Sequence, residues 1–201
     1  TSDKGLTRVG GLGLDGLRAP KASLDCGNSG TSMRLLLGIL SGQSFDSTLI
    51  GDESLSTRPM QRVSVPLGKM VAQISGTLSE GKLLAPLTIR GSELRGCEHH
   101  LPIASAQVKS ALLLAGLWAK GKTTVTEPGA SRDHTERMLA AMGATLFQVA
   151  PRCSEIRPDG WNRRLSPVEI DVPGDPSSAA FLLVAAFASE ATEVLVPHVC
   201  L

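Results

Sequence analysis

Three apolar runs of helical length recur along the chain, beginning at Leu35, Leu112 and Phe181. The spacing between them is about 70 to 80 residues. A short polar segment precedes each run, and a β-like stretch follows it. Leu, Val and Ala make each predicted helix apolar on almost all sides, so it has no polar face that would contact solvent. We therefore expect three buried helices in three copies of one structural unit.

The first two copies predict the same order of elements. A second helix with Arg at matching places follows the first β-like stretch, and two strands close the copy. With a strand entering each first helix, the unit reads βαβαββ and predicts an α/β (α+β) layered fold. The predicted strands after the first helices are 47–50, 72–75 and 84–90 in one copy and 123–126, 145–149 and 154–157 in the next.

The third copy is shorter than the other two. It begins near Asp175 and predicts one helix and one strand, at 192–196, before Leu201. A unit of that length cannot bury its own apolar face. We therefore expect the chain to be a segment of a longer protein, although terminal repeats are often atypical and could act as a cap.

Composition narrows the class of function. Hydrophobic residues make up 42% of the 201 residues and charged residues 19%, which favours a packed core over disorder. A net charge of +1 argues against nucleic acid as a partner. No apolar run approaches the ~20 residues of a membrane span. The four cysteines form no C-x-x-C pair, so we expect reduced thiols, a cytoplasmic location and no metal or cofactor.

Two turns that lead into the apolar helices have anion-binding character. Gly27–Ser32 combines a Gly-rich turn with a helix N-terminus, whose N–H groups can cradle a phosphate. Ser105–Gln107 opens the second helix with hydroxyl and amide groups. An ordinary strand-to-helix turn and an ordinary N-cap explain the same residues, so both interpretations stay open. Lys109 is expected to face solvent.

The second helices add further candidates. Pro59 suits a first helical turn, which would place Arg58 at the helix N-terminus, where a cation is unfavourable unless an anion is bound. Ser131 occupies the equivalent turn of the second copy, and His134 follows it. These residues alone predict an α/β repeat protein with several anion-binding turns on one face. A non-catalytic repeat domain is compatible with that description.

The turns also match a known family when they are taken together. In this order they resemble 5-enolpyruvylshikimate-3-phosphate (EPSP) synthases, with UDP-N-acetylglucosamine enolpyruvyl transferases as an alternative. The matching segments are 27–34, 55–60, 105–107, 131–136 and 174–178.

The resemblance implies the enolpyruvyl transferase fold, with two domains of three βαβαββ units each. Residues 1–173 would be two units of the first, substrate-binding domain, and residues 174–201 the start of the second. The family reaction joins phosphoenolpyruvate to shikimate 3-phosphate and releases phosphate. The resemblance implies no cofactor, a monomer, and a need for the remaining segments of the enzyme. By itself the chain is expected to bind weakly and to be nearly inactive.

Site residues carry over by matching position. Gly30, Arg58 and Gln107 would hold phosphoenolpyruvate. Ser105, Ala106, Gln107 and Ser131 would hold shikimate 3-phosphate. No residue of this chain is assigned a chemical step. Relatives tolerant of the inhibitor glyphosate have Ala where this chain has Gly30. The supporting residues implied by the resemblance are Asn28, Thr31, Arg34, His134 and Asp175.

Overall fold

The computed structural model describes residues 2–3, 6–189 and 193–199. The chain divides into two compact units, residues 1–166 and 167–201. The first unit opens with a short antiparallel hairpin of β1 (Ser2–Asp3) and β2 (Leu6–Thr7). Both complete repeats follow within this unit.

The two repeats have matching elements in matching order, except that the short helix Glu53–Ser56 of the first has no counterpart in the second. The first consists of β3 (Leu24–Asp25), α1 (Gly30–Ser41), β4 (Ser47–Ile50), α2 (Glu53–Ser56), α3 (Gln61–Lys69), β5 (Gln73–Ser79) and β6 (Lys82–Arg90). The second consists of β7 (Glu98–His100), α4 (Ala106–Gly116), β8 (Thr123–Thr126), α5 (His134–Ala141), β9 (Leu146–Ala150) and β10 (Cys153–Ile156).

Each repeat forms a mixed four-stranded sheet with the same topology. The strand orders are β3-β4-β6-β5 and β7-β8-β10-β9. In both sheets the first two strands are parallel and the remaining neighbours are antiparallel. A crossover helix joins the parallel pair, as parallel pairing requires. The predicted α/β (α+β) class and the βαβαββ unit are confirmed.

Some strand boundaries agree with the prediction and others differ from it. The predicted strands at 47–50 and 123–126 are confirmed. The strands β5 and β6 are longer than predicted, because their pairing continues through polar residues to Ser79 opposite Lys82. Gly81 completes that turn at a φ of +74°, which favours glycine. The last two strands of the second repeat are each displaced by one residue.

The core forms where α1 packs against α4. Met33 and Leu37 of α1 and Leu112 and Leu113 of α4 are fully buried. The two backbones approach closely at Gly38, where an added Cβ would lie 2.2 Å from the carbonyl oxygen of Ala111. These two helices are buried as predicted, and glycine is what allows them to be so close.

The second unit differs from the prediction. Its helix α6 (Pro176–Phe187) is apolar all round, yet Ala179 is its one buried residue among those described. Residues 193–196 do not form the predicted strand, and Thr192 lies outside the described residues. The unit holds an isolated bridge between Gly174 and Val199. A β-prone sequence needs a neighbouring strand for pairing, and an apolar helix needs a layer to cover it.

No helix within the described ranges has the length and apolar character that crossing a membrane requires.

Replacing Gly38 with Ala should lower the free energy of unfolding by about 2–3 kcal/mol, because the methyl group forces α1 away from α4. Gly68 of α3 is the matched control, since an added Cβ there meets nothing within 4 Å. Gly68→Ala should raise stability by about 0.5 kcal/mol. Urea unfolding of both variants checks this, and equal effects would contradict the close α1–α4 contact.

Candidate functional site

The turn before α1 holds Arg58 through Asn28. The Asn28 side chain donates to Asp52 Oδ2 at 2.7 Å, and Asp52 also caps α2 by accepting from the Leu55 N–H. Arg58 Nη2 then donates to Asn28 Oδ1 at 2.7 Å. This chain of contacts brings a guanidinium group from the segment between α2 and α3 to the N-terminus of α1.

The predicted reason for the position of Arg58 was wrong. The helix after it begins at Gln61 with Met60 as its N-cap, so Pro59 is not in the first helical turn. Arg58 lies three residues before that helix, and Ser131 lies three residues before α5. The equivalence of the two turns therefore holds, whereas the predicted conflict between Arg58 and the dipole of its own following helix, α3, does not arise.

Gln107 joins the N-termini of α1 and α4. Its Oε1 accepts from Arg34 Nη1 at 2.6 Å, and its Nε2 donates to Thr31 Oγ1 at 2.7 Å. Both partners lie in the first two turns of α1. The amide of one helix is thus held by a cation and a hydroxyl of the other, beside the free N–H groups at both helix starts.

Gly30 lies between two guanidinium groups. An added Cβ would be 3.0 Å from Arg34 Nη1 and 3.4 Å from Arg58 Nη1. Burial, together with repulsion from Arg58 and Arg62, lowers the pKa of Arg34. Three cations near a helix N-terminus repel one another, so a bound anion would relieve the repulsion. The cluster has the charge and the exposed N–H groups of an anion site.

Ser105 and Ser131 lie on a second pair of turns. Ser105 is the N-cap of α4, and its side chain makes no capping hydrogen bond. Its backbone N–H donates to Glu127 Oε1 at 3.1 Å, and the Ser131 hydroxyl donates to Glu127 Oε2 at 2.9 Å. Ala106 is the first residue of α4, so its N–H has no acceptor within the helix. One carboxylate therefore links the two turns.

The prediction that Lys109 faces solvent was wrong. Lys109 is 5% exposed, and its ammonium group lies 2.7 Å from both Glu127 Oε2 and Glu136 Oε1. Burial lowers the pKa of Lys109, but the two carboxylates outweigh it and raise that pKa overall. A charged side chain inside a helix that is apolar all round requires buried partners. That requirement was the sequence signal that could have indicated Glu127 and Glu136, which sequence reasoning missed.

Two clefts flank the Ser105 turn. One, of about 400 Å³, includes Ser131, Lys109, Glu127 and Arg152 in its walls. The other, of about 390 Å³, has Ser105, Arg62, Lys69 and His99 among its lining residues. Ser105 lies at the wall of the second cleft and bonds to Glu127 in the first, so the turn is shared by both.

The remaining predicted residues stand apart. His134 is exposed at the first residue of α5. Asp175 belongs to the second unit, where it caps α6 by accepting from the N–H groups of Ser177 and Ser178. Hydrogen bonds from Ser178 and Ser177 lower the pKa of Asp175. In the described part of the chain, no cluster of three His, Cys, Asp or Glu side chains is arranged to hold a metal ion.

Comparison with known proteins identifies the family. The sequence model of EPSP synthase (3-phosphoshikimate 1-carboxyvinyltransferase) matches residues 3–201. The chain belongs to the EPSP synthase family. The 3-phosphoshikimate 1-carboxyvinyltransferases of Alkalilimnicola ehrlichii and Methylococcus capsulatus are 56% and 53% identical over 98% of this chain. The UDP-N-acetylglucosamine enolpyruvyl transferase alternative is therefore not favoured.

Solved structures agree with this assignment. An EPSP synthase structure from Acinetobacter baumannii matches 88% of the chain at a TM-score of 0.77 and 51% identity. The match covers 38% of that structure, and the chain spans 43% of the Alkalilimnicola relative and 44% of the Methylococcus relative. The chain thus spans less than half the length of the EPSP synthases that it matches.

Burial of His99, in the wall of the second cleft, predicts that the stability of this chain depends on pH. His99 is 2% exposed, and burial, with nearby Lys69 and His100, lowers its pKa to about 4. An unfolded His titrates near pH 6.5, so the unfolded chain binds more protons between those values. Stability should therefore fall as pH drops from about 6.5 to 4.

His99→Gln should flatten this part of the stability curve, and His100→Gln, on the exposed neighbour, should not. Urea unfolding at a series of pH values compares the slopes. A slope that His99→Gln leaves unchanged would contradict the assignment.

Proposed function

We propose that this chain supplies a substrate-binding part of the transferase that joins phosphoenolpyruvate to shikimate 3-phosphate. The products are 5-enolpyruvylshikimate 3-phosphate and inorganic phosphate, and the reaction belongs to aromatic amino acid biosynthesis. Membership of the EPSP synthase family supports the reaction class. The observation that carries the proposal is the contact of Gln107 with Thr31 and Arg34, because it joins two anion-binding turns in one site.

Phosphoenolpyruvate would bind at the N-terminus of α1. The Gly30 backbone, Arg58 and Gln107 surround that position, and Arg34 adds a nearby cation. The guanidinium groups offer paired donors that suit a carboxylate or a phosphate. Asn28 orients Arg58, and Thr31 orients Gln107.

Shikimate 3-phosphate would bind at the Ser105 and Ser131 turns. The Ser105 side chain, the Ala106 N–H and the Gln107 amide lie on successive residues at the start of α4. The Ser131 hydroxyl lies across Glu127 from them. Hydroxyl and amide donors at a helix N-terminus can hold a phosphate without a large local charge. His134 is assigned no contact.

The arrangement promotes reaction by bringing two anions together. Addition of the shikimate 5-hydroxyl to phosphoenolpyruvate gives a tetrahedral intermediate, and elimination of phosphate completes the transfer. Preorganised donors offset the repulsion between the two substrates, and closure of a second domain would exclude water. Residues 1–173 would belong to the first domain and residues 174–201 to the second, with the remaining segments of the enzyme needed for turnover. We assign a monomer in the cytoplasm, with no cofactor.

Titration of this chain with shikimate 3-phosphate, followed by amide NMR shifts, tests the substrate assignment. Shifts should centre on Ser105, Ala106, Gln107 and Ser131, and UDP-N-acetylglucosamine should produce none there. Ser131→Ala should weaken binding about tenfold, the cost of roughly one hydrogen bond to a charged group. Ser79→Ala, on the exposed end of β5, is the control. Absence of shifts both here and in a longer chain with the remaining segments would contradict the proposal.

Gly30→Ala tests the phosphoenolpyruvate position. The methyl group would crowd the space between Arg34 and Arg58, so the inhibition constant for glyphosate in the complete enzyme should rise at least about tenfold. Gly129→Ala is the matched control, because its added Cβ meets one atom at an ordinary 3.7 Å. Equal inhibition constants for the Gly30→Ala variant and the unmodified enzyme would contradict this position.

A further inference from the structure

The backbone of Glu127 is anchored at the end of β8, an interior strand of the second sheet. Glu127 follows directly after β8, and its N–H donates to the carbonyl oxygen of Arg152 at 3.0 Å. The next residue, Pro128, accepts a hydrogen bond from Arg152 Nη1 at 2.7 Å. Two contacts to one residue therefore fix the start of the segment that leads to Ser131. The side chain projects from a rigid base, as a positioning group requires.

The two oxygens of the Glu127 carboxylate bind different turns. Oε1 accepts the Ser105 N–H, which belongs to the start of α4. Oε2 accepts the Ser131 hydroxyl, which belongs to the turn before α5. The two serines are 26 residues apart in sequence. The Glu127 carboxylate, which binds both, sets the distance between them in space. A shorter side chain on the same backbone could not reach both.

Lys109 makes the buried carboxylate tolerable. The side chains of Glu127 and Lys109 are 2% and 6% exposed, and an unpaired charge at this depth would be strongly destabilising. Lys109 also pairs with Glu136 on α5, which ties that helix to the same cluster. With its charge paired to Lys109, Glu127 contributes chiefly through the positions of its two oxygens.

We propose that Glu127 is a positioning residue that sets the spacing of the Ser105 and Ser131 turns for binding the phosphate of shikimate 3-phosphate. This inference rests on the proposed function. Glu127 does not contact the substrate in this scheme. It acts through the two serines, and Lys109 holds it in place.

Glu127→Asp keeps the charge and removes one methylene group, so it tests reach alone. Glu155→Asp is the matched control: Glu155 is 3% exposed and accepts from Thr124 at 2.9 Å and Lys122 at 3.1 Å, away from both serine turns. Urea unfolding measures the stability of each variant. NMR titration of the chain with shikimate 3-phosphate measures affinity, and titration with phosphoenolpyruvate reports on the α1 end of the site.

We expect both variants to lose stability and Glu127→Asp alone to lose about tenfold in affinity for shikimate 3-phosphate. The amide shifts of 30–34 with phosphoenolpyruvate should be unchanged in both. Wild-type affinity in Glu127→Asp, or an equal loss in Glu155→Asp, would overturn the positioning role and leave the proposed function standing. No binding by the unmodified chain or by a longer one would overturn the proposed function, and this inference with it.

Discussion

The close contact of α1 with α4 is the constraint on which the site depends. Gly38 lets the two backbones approach until the Ala111 carbonyl occupies the space that a side chain would need. The N-termini of both helices then lie side by side, where Gln107 can bond to Thr31 and Arg34. Each helix start has N–H groups without acceptors inside the helix, so their positive potentials add in one place.

Two cationic side chains near this contact, Arg34 and Lys109, lie in surroundings that are unfavourable for a charged group. Arg34 lies among other cations, and its lowered pKa reflects burial and their repulsion. Lys109 is buried inside an apolar helix and needs two carboxylates as partners. Natural proteins tolerate such groups where function needs donors in fixed positions. Glu155, a buried carboxylate outside this cluster, is paired in a similar way with Lys122 and Thr124.

The repeat explains why the site has two similar halves. In both copies the first helix follows a parallel strand, and a turn with a predicted site residue lies three residues before α3 in one copy and α5 in the other. Arg58 and Ser131 occupy these equivalent turns with different chemistry, one a cation and the other a hydroxyl. One repeated scaffold thus presents different side chains at equivalent turns, and under the proposed function these side chains would give the two positions distinct ligand preferences.

The sequence by itself determined the repeated βαβαββ order, the strands at 47–50 and 123–126 and the turns that carry Gly30, Ser105 and Ser131. Those features follow from local periodicity and turn chemistry, which a short window of sequence contains. The family resemblance added the proposed assignment of Arg58 and Gln107 to phosphoenolpyruvate, which periodicity could not supply.

Only the tertiary structure determined which side chains pair with the buried charged residues. Glu127 and Lys109 come from different elements and meet through the packing of α4 on the second sheet. The same reason explains the exposed α6 and the absence of a strand at 193–196, since burial and pairing depend on neighbouring layers. Local sequence specifies which groups a turn offers, and long-range packing specifies which groups it meets.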